Sequence, residues 1–144
     1  MRVHIASHGI RHSIPRRLLT RVGGLAMRAI GAPADAELEV VLTDDTTIAR
    51  LNRRFLRHRG PTDVITFPAD GAEGDRVLGE VVISVDRARA QARRAGWPLR
   101  REVALLLAHG VLHLGGFDDR APRAAAEMRA RERAVLARVF GGRQ

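Results

Sequence analysis

The 144-residue sequence predicts a single domain over residues 1–144 of mixed α/β (α+β) class, with one mixed sheet of about four strands packed with about five helices. Three observations carry that expectation. The length suits one hydrophobic core and not two. The apolar spacing switches between period two and period 3.6 in the order β–α–β–α–β–β–α–α–α. No internal repeat and no long linker divides the chain.

Each element has a local reason. Val3–His4–Ile5 begins an alternating stretch that reads as a strand, so His4, His8 and His12, although spaced by four, are expected as surface or loop histidines. From Pro15 to Ile30 the positions Leu18, Leu19, Val22, Leu25, Ala26 and Ala29 follow helical spacing, and Gly31 stops the run. Leu38 to Leu42 is a strand. Thr43, Asp44 and Asp45 then offer caps for a helix whose apolar side is Ile48, Leu51, Phe55 and Leu56. Gly60–Pro61 breaks that helix. Val64 to Phe67 reads as a strand closed by Pro68, and Asp70 to Arg76 as a polar loop. Leu78 to Val85 is almost continuously apolar, the pattern of a central strand. A helix over Asp86 to Ala95 ends at Gly96. Arg100 to Leu114 is apolar nearly all round and therefore expected to be buried. Pro122 to Phe140 closes the chain as an Ala/Arg-rich helix with Met128, Val135, Leu136 and Val139 facing inward.

Composition removes several classes of function. There is no Cys, which excludes a disulfide scaffold, a thiolate metal site and a thiol nucleophile. No apolar run is long enough to span a bilayer, and no apolar signal core opens the chain, so a cytoplasmic location without membrane contact is expected. Aromatic residues make up 3%, which disfavours an extended stacking platform for nucleic acid. The net charge is +9, and all 25 cationic side chains are Arg. They cluster: five lie in residues 50–59 and six in 87–101, both stretches free of acids, whereas residues 102–119 hold three acids and no Arg. Such blocks suit a surface that follows phosphates; the plainer alternative is Arg on solvated helix faces.

The informative motif is His109-Gly110-Val111-Leu112-His113. Two His four apart share one helix face and suit chelation of one ion. The glycines Gly115 and Gly116 let the chain reverse, so that Asp119 is expected to return a carboxylate to the same ion. Two imidazoles, one carboxylate and an open position form the donor set of a catalytic metal site at the end of a buried helix. The competing reading is a pair of core histidines bonded to backbone carbonyls. The spacing invites comparison with the H-E-x-x-H of metzincin proteases, but the base position is held here by Gly110, which moves no proton.

Three segments together resemble the YbeY family of endoribonucleases, also called rRNA maturation factors. His109 to Asp119 (HGVLHLGGFDD) is similar to the family's H-G-x-L-H-L-x-G-Y-D-H, Leu51 to Pro68 (LNRRFLRHRGPTDVITFP) to its L-N-x-x-Y/F-R-x-x-D-x-P-T-D-V-L-S-F-P, and Leu78 to Val85 to its L-G-D-I-V-I-S strand. The resemblance implies a zinc-dependent endonuclease on single-stranded RNA. The implied role is maturation of ribosomal RNA, including the small-subunit 3′ end, and ribosome quality control, with rRNA and ribosomal subunits as partners. It implies His109 and His113 as ligands of one zinc ion, with Asp119 where the family has its third His. Asp118 matches the family's preceding Asp, with a role in the turn or in bonding a ligand. Thr62, Asp63 and Ser84 are expected near the substrate cleft. The family's catalytic Arg corresponds to Leu56, which leaves Arg57, Arg59 and His58 as weak catalytic candidates. Two rival functions remain open from sequence: a non-catalytic rRNA-binding assembly factor with a structural metal, and a small metallohydrolase acting on another ester or on peptide.

Overall fold

The computed structural model describes residues 1–71 and 76–141. The elements are β1 (Arg2–His8), α1 (Arg16–Ala29), β2 (Glu37–Thr43), α2 (Asp45–Leu56), β3 (Val64–Pro68), β4 (Val77–Ser84), α3 (Val85–Ala95), α4 (Leu99–Leu114) and α5 (Pro122–Phe140). One four-stranded sheet has the order β1-β2-β4-β3; β1, β2 and β4 run parallel, and β3 is antiparallel to β4. The expected mixed sheet with five helices is therefore present.

Alternation along the strands gives the sheet two unequal sides. Leu38, Val40, Leu42, Val81 and Ile83 join residues of α1, α3, α4 and α5 in the main core. Val82 and Ile65 point the other way and meet only Ile48 of α2, with Val41, Leu51 and Phe67 partly buried beside them. β4 is flanked by β2 and β3, which agrees with its unbroken apolar run. Helix α4 lies between the sheet and the other helices, which explains why it needs no polar stripe.

Some local expectations are corrected. Val85 leaves the strand and starts α3, because the Ser84 hydroxyl accepts the Arg87 backbone N–H at 3.2 Å and caps the helix. Phe55 and Leu56 do not face inward: they are 56% and 43% exposed, and the buried residues of α2 are Ile48 and Asn52. The last turn of α2 reaches the edge strand β3, where Phe55 meets Phe67 edge-to-face at 5.5 Å. On α5 the inward stripe is Met128, Glu132, Val135 and Leu136, with Val139 only partly buried. Within the loop read over Asp70 to Arg76, residues 72–75 lie outside the described residues.

Candidate metal centre

His109 and His113 occupy the last turns of α4 on one face, their ring centroids 4.6 Å apart. Packing explains Gly110 between them. A Cβ there would stand 2.7 Å from Val81 Cγ1 and 3.3 Å from Thr66 Cγ2, so only glycine lets the helix lie this close to the sheet.

The chain after α4 is tightly specified. The N–H of Gly115 bonds to the carbonyls of Val111 and Leu112, that of Gly116 to His113, and that of Phe117 to Leu112. These bonds satisfy the carbonyls that a helix end leaves free. Gly116 takes φ +96°, a backbone conformation costly for other residues. The Phe117 ring lies under the Arg131 guanidinium at 4.8 Å, and Asp118 Oδ1 accepts the Arg120 N–H at 3.1 Å. The next side chain, Asp119, is delivered to the histidines: one donor atom from each of His109, His113 and Asp119 lies within 4.8 Å of the other two. Asp118 thus shapes the turn. Asp119 is exposed and the imidazoles are half-buried, so the cluster opens toward solvent on the carboxylate side.

The His109 imidazole is oriented from behind by Glu132. Its Oε2 accepts a hydrogen bond from His109 Nδ1 at 2.9 Å, while its side chain is only 9% exposed. Protonation at Nδ1 leaves the Nε2 lone pair pointing out of the helix face, toward His113 Nε2 at 3.1 Å. Burial works against charge on His109, but the hydrogen bond and charge of Glu132, with the charges of Asp119 and Asp63, overcome it and raise its pKa. Burial and the neighbouring His109 lower the pKa of His113, keeping it a neutral donor. Two ring nitrogens 3.1 Å apart are within reach of one ion bound at about 2.0–2.1 Å from each. The donor set therefore fits a divalent cation.

The other sequence candidates are placed as follows. Asp63 lies before β3; its carboxylate accepts Gln91 Nε2 at 3.2 Å and its charge acts on His109. Thr62 is half-buried next to it. Ser84 is fully buried, and its hydroxyl is taken up by the α3 cap and by Asp45 Oδ1 at 2.7 Å, so it presents nothing to a cleft. Arg57, His58 and Arg59 are exposed after α2, and none belongs to the metal-capable cluster among the described residues. His4, bonded to Glu37, and His12, bonded to Ser7, are likewise apart from it. Glu132 was not anticipated. Its signal is a carboxylate within an apolar stripe, four residues after Met128 and three before Val135.

Fold and site together define a class: a small α+β protein with a His/His/Asp group able to hold a metal ion at the end of a buried helix. The family model for the endoribonuclease YbeY matches residues 4–140, and the chain belongs to that family. An endoribonuclease YbeY of Pelotomaculum thermopropionicum is 41% identical over 85% of this chain and 84% of its own. That of Geobacter sulfurreducens is 40% identical over 99% of this chain and 98% of its own. The solution structure of a Thermotoga maritima protein matches with a TM-score of 0.69 and 26% identity, covering 96% of this chain and 89% of that one.

Proposed function

We propose that this chain is a metal-dependent endoribonuclease that cleaves single-stranded RNA in ribosomal RNA maturation, including the small-subunit 3′ end, and in ribosome quality control. One zinc ion is held by His109, His113 and Asp119. The observation that carries the reading is the convergence of these three donors, with His109 oriented by Glu132, in a chain of +9 charge whose relatives are named endoribonucleases. Asp in place of the family's third His gives a harder oxygen donor, so the choice of metal is this chain's own. We place the protein in the cytoplasm with ribosomal subunits as partners; no described helix is long and apolar enough to cross a membrane.

A bound cation supplies Lewis acidity toward a phosphoryl oxygen and lowers the pKa of a water. The chain's own residues do the rest. Glu132 fixes the His109 tautomer so that Nε2 faces outward. Burial keeps His113 unprotonated at neutral pH. Asp119, on the exposed side, leaves room for an RNA strand to approach. The acid-free Arg blocks of residues 50–59 and 87–101 attract the phosphate backbone without reading sequence.

The test is cleavage of a single-stranded RNA by purified protein. His113→Ala is expected to lose at least the about 10²–10³-fold that removal of one preorganised electrostatic group costs. Cleavage at the wild-type rate by His113→Ala overturns the metal mechanism. Salt-sensitive RNA binding with no turnover under any divalent metal favours the non-catalytic assembly factor instead. Leu56, exposed at the position of the family's Arg, is the observation on that side.

A further inference from the structure

We propose that the outer face of α2 carries a phosphate-binding subsite, formed by Arg50, Arg53, Arg59 and the backbone of Gly60, which holds one phosphodiester of the RNA strand. The proposal rests on the RNA reading above and adds to it a contact away from the three metal donors.

The cavity is about 440 Å³ and is lined by Ala49, Arg50, Arg53, Arg59 and Gly60. Three guanidinium groups and no carboxylate therefore face one concavity. The chain holds no Asp or Glu from Thr46 to Thr62, so no neighbour in sequence neutralises them. Some arginines elsewhere are occupied: Arg16 donates to the Ile5 carbonyl, Arg21 to that of Arg138 and Arg89 to that of Arg11, while Arg87 pairs with Asp45 and Arg131 with Glu127. Among the described residues, Arg50, Arg53 and Arg59 have no hydrogen-bond or ion-pair partner.

The convergence is built by the backbone. Arg50 and Arg53 are three apart on α2 and share a face. Arg59 joins them because the chain turns back after the helix. Arg57 takes a left-handed conformation (φ 57°) at the helix end, the His58 N–H bonds to the Asn52 carbonyl at 3.2 Å, and Gly60 takes φ +81°. Asn52, 6% exposed, locks the fold-back by donating its Nδ2 to the Gly60 carbonyl at 2.9 Å. A left-handed non-glycine residue and a buried amide are thus spent on holding like charges together. Planar guanidinium forks arranged around one concavity match the geometry of a phosphate oxyanion. The same loop continues through Thr62 and Asp63 to the edge strand β3.

The experiment is fluorescence anisotropy of a labelled, single-stranded 2′-O-methyl oligoribonucleotide across a salt series. Replacing Arg50, Arg53 and Arg59 together by Gln is expected to weaken binding about tenfold at low salt. It should also make the slope of log Kd against log salt shallower by about 0.7, the contribution of one phosphate on a single strand. Arg59→Gln alone, which leaves α2 untouched, should weaken binding several-fold, and the triple Lys variant should keep the salt slope. A control replacing the exposed Arg123, Arg129 and Arg133 of α5 by Gln removes the same charge and should have less than half the effect. Equal loss from the α5 control, or wild-type affinity in the α2 triple variant, overturns the subsite. Wild-type protein with no affinity for the oligonucleotide would overturn the RNA reading itself.

Discussion

The C-terminal ends of α4 and α2 present opposite solutions to placing charge-bearing side chains. At the end of α4, two imidazoles are set in apolar packing, and one of them, His109, is tied from behind by a buried carboxylate. At the end of α2, arginines stand in solvent and are gathered by a loop. The first region shares its helix with the core, with Val111 and Leu112 fully buried between the histidines. The second lies on the thinly covered side of the sheet, where Ile48 alone of α2's hydrophobic residues is buried. The His109–His113 cluster therefore depends on packing, while the arginine cavity depends on a few backbone bonds.

Stability should divide along the same line. Leu112→Ala is expected to cost about 3–5 kcal/mol, transfer plus cavity, because its side chain is fully buried. Leu56→Ala, at an exposed position, should stay within about 0.5 kcal/mol. Denaturant midpoints measure both, and equal losses would break the comparison. A smaller effect separates Glu132 from the surface carboxylates. Glu132→Ala should weaken metal affinity about 10–100-fold, read by competition with a chromophoric chelator, and Glu132→Gln should recover part of it through the amide oxygen. Unchanged affinity in Glu132→Ala would remove it from the site. The smallest test compares two helical glycines. Gly24→Ala in α1 meets nothing within 4 Å and should stabilise by about 0.5–1 kcal/mol. Gly110→Ala places its methyl against Val81, and the overpacking should outweigh the helix propensity gained, for a net loss of about 1 kcal/mol in thermal melting.

How much was legible follows from which force placed each residue. The elements and the order of their patterns could be read because burial imposes a period, and β4's central position follows from apolar residues on both faces. His109, His113 and Asp119 could be read because helix pitch and a glycine turn are local rules. Glu132 could not be placed, since its contact with His109 joins residues on two different helices. Phe55 and Leu56 fit a helical stripe, yet they fall on a turn that has run past the covered part of the sheet. Ser84 is expected near the substrate cleft from the family resemblance, but its hydroxyl serves as the α3 cap. The gathering of Arg59 with Arg50 and Arg53 depends on a left-handed Arg57, which no composition rule announces.

The central claim is that His109, His113 and Asp119 hold a metal ion as one unit. The direct measurement is elemental analysis of protein purified without a metal-binding tag, for the wild type and for His113→Ala with its fold verified by circular dichroism. The account expects close to one equivalent of a divalent transition metal, with zinc as the proposed ion, in the wild type and loss of that equivalent in the variant. Metal-free wild-type protein that still cleaves RNA in the presence of a strong chelator would contradict it.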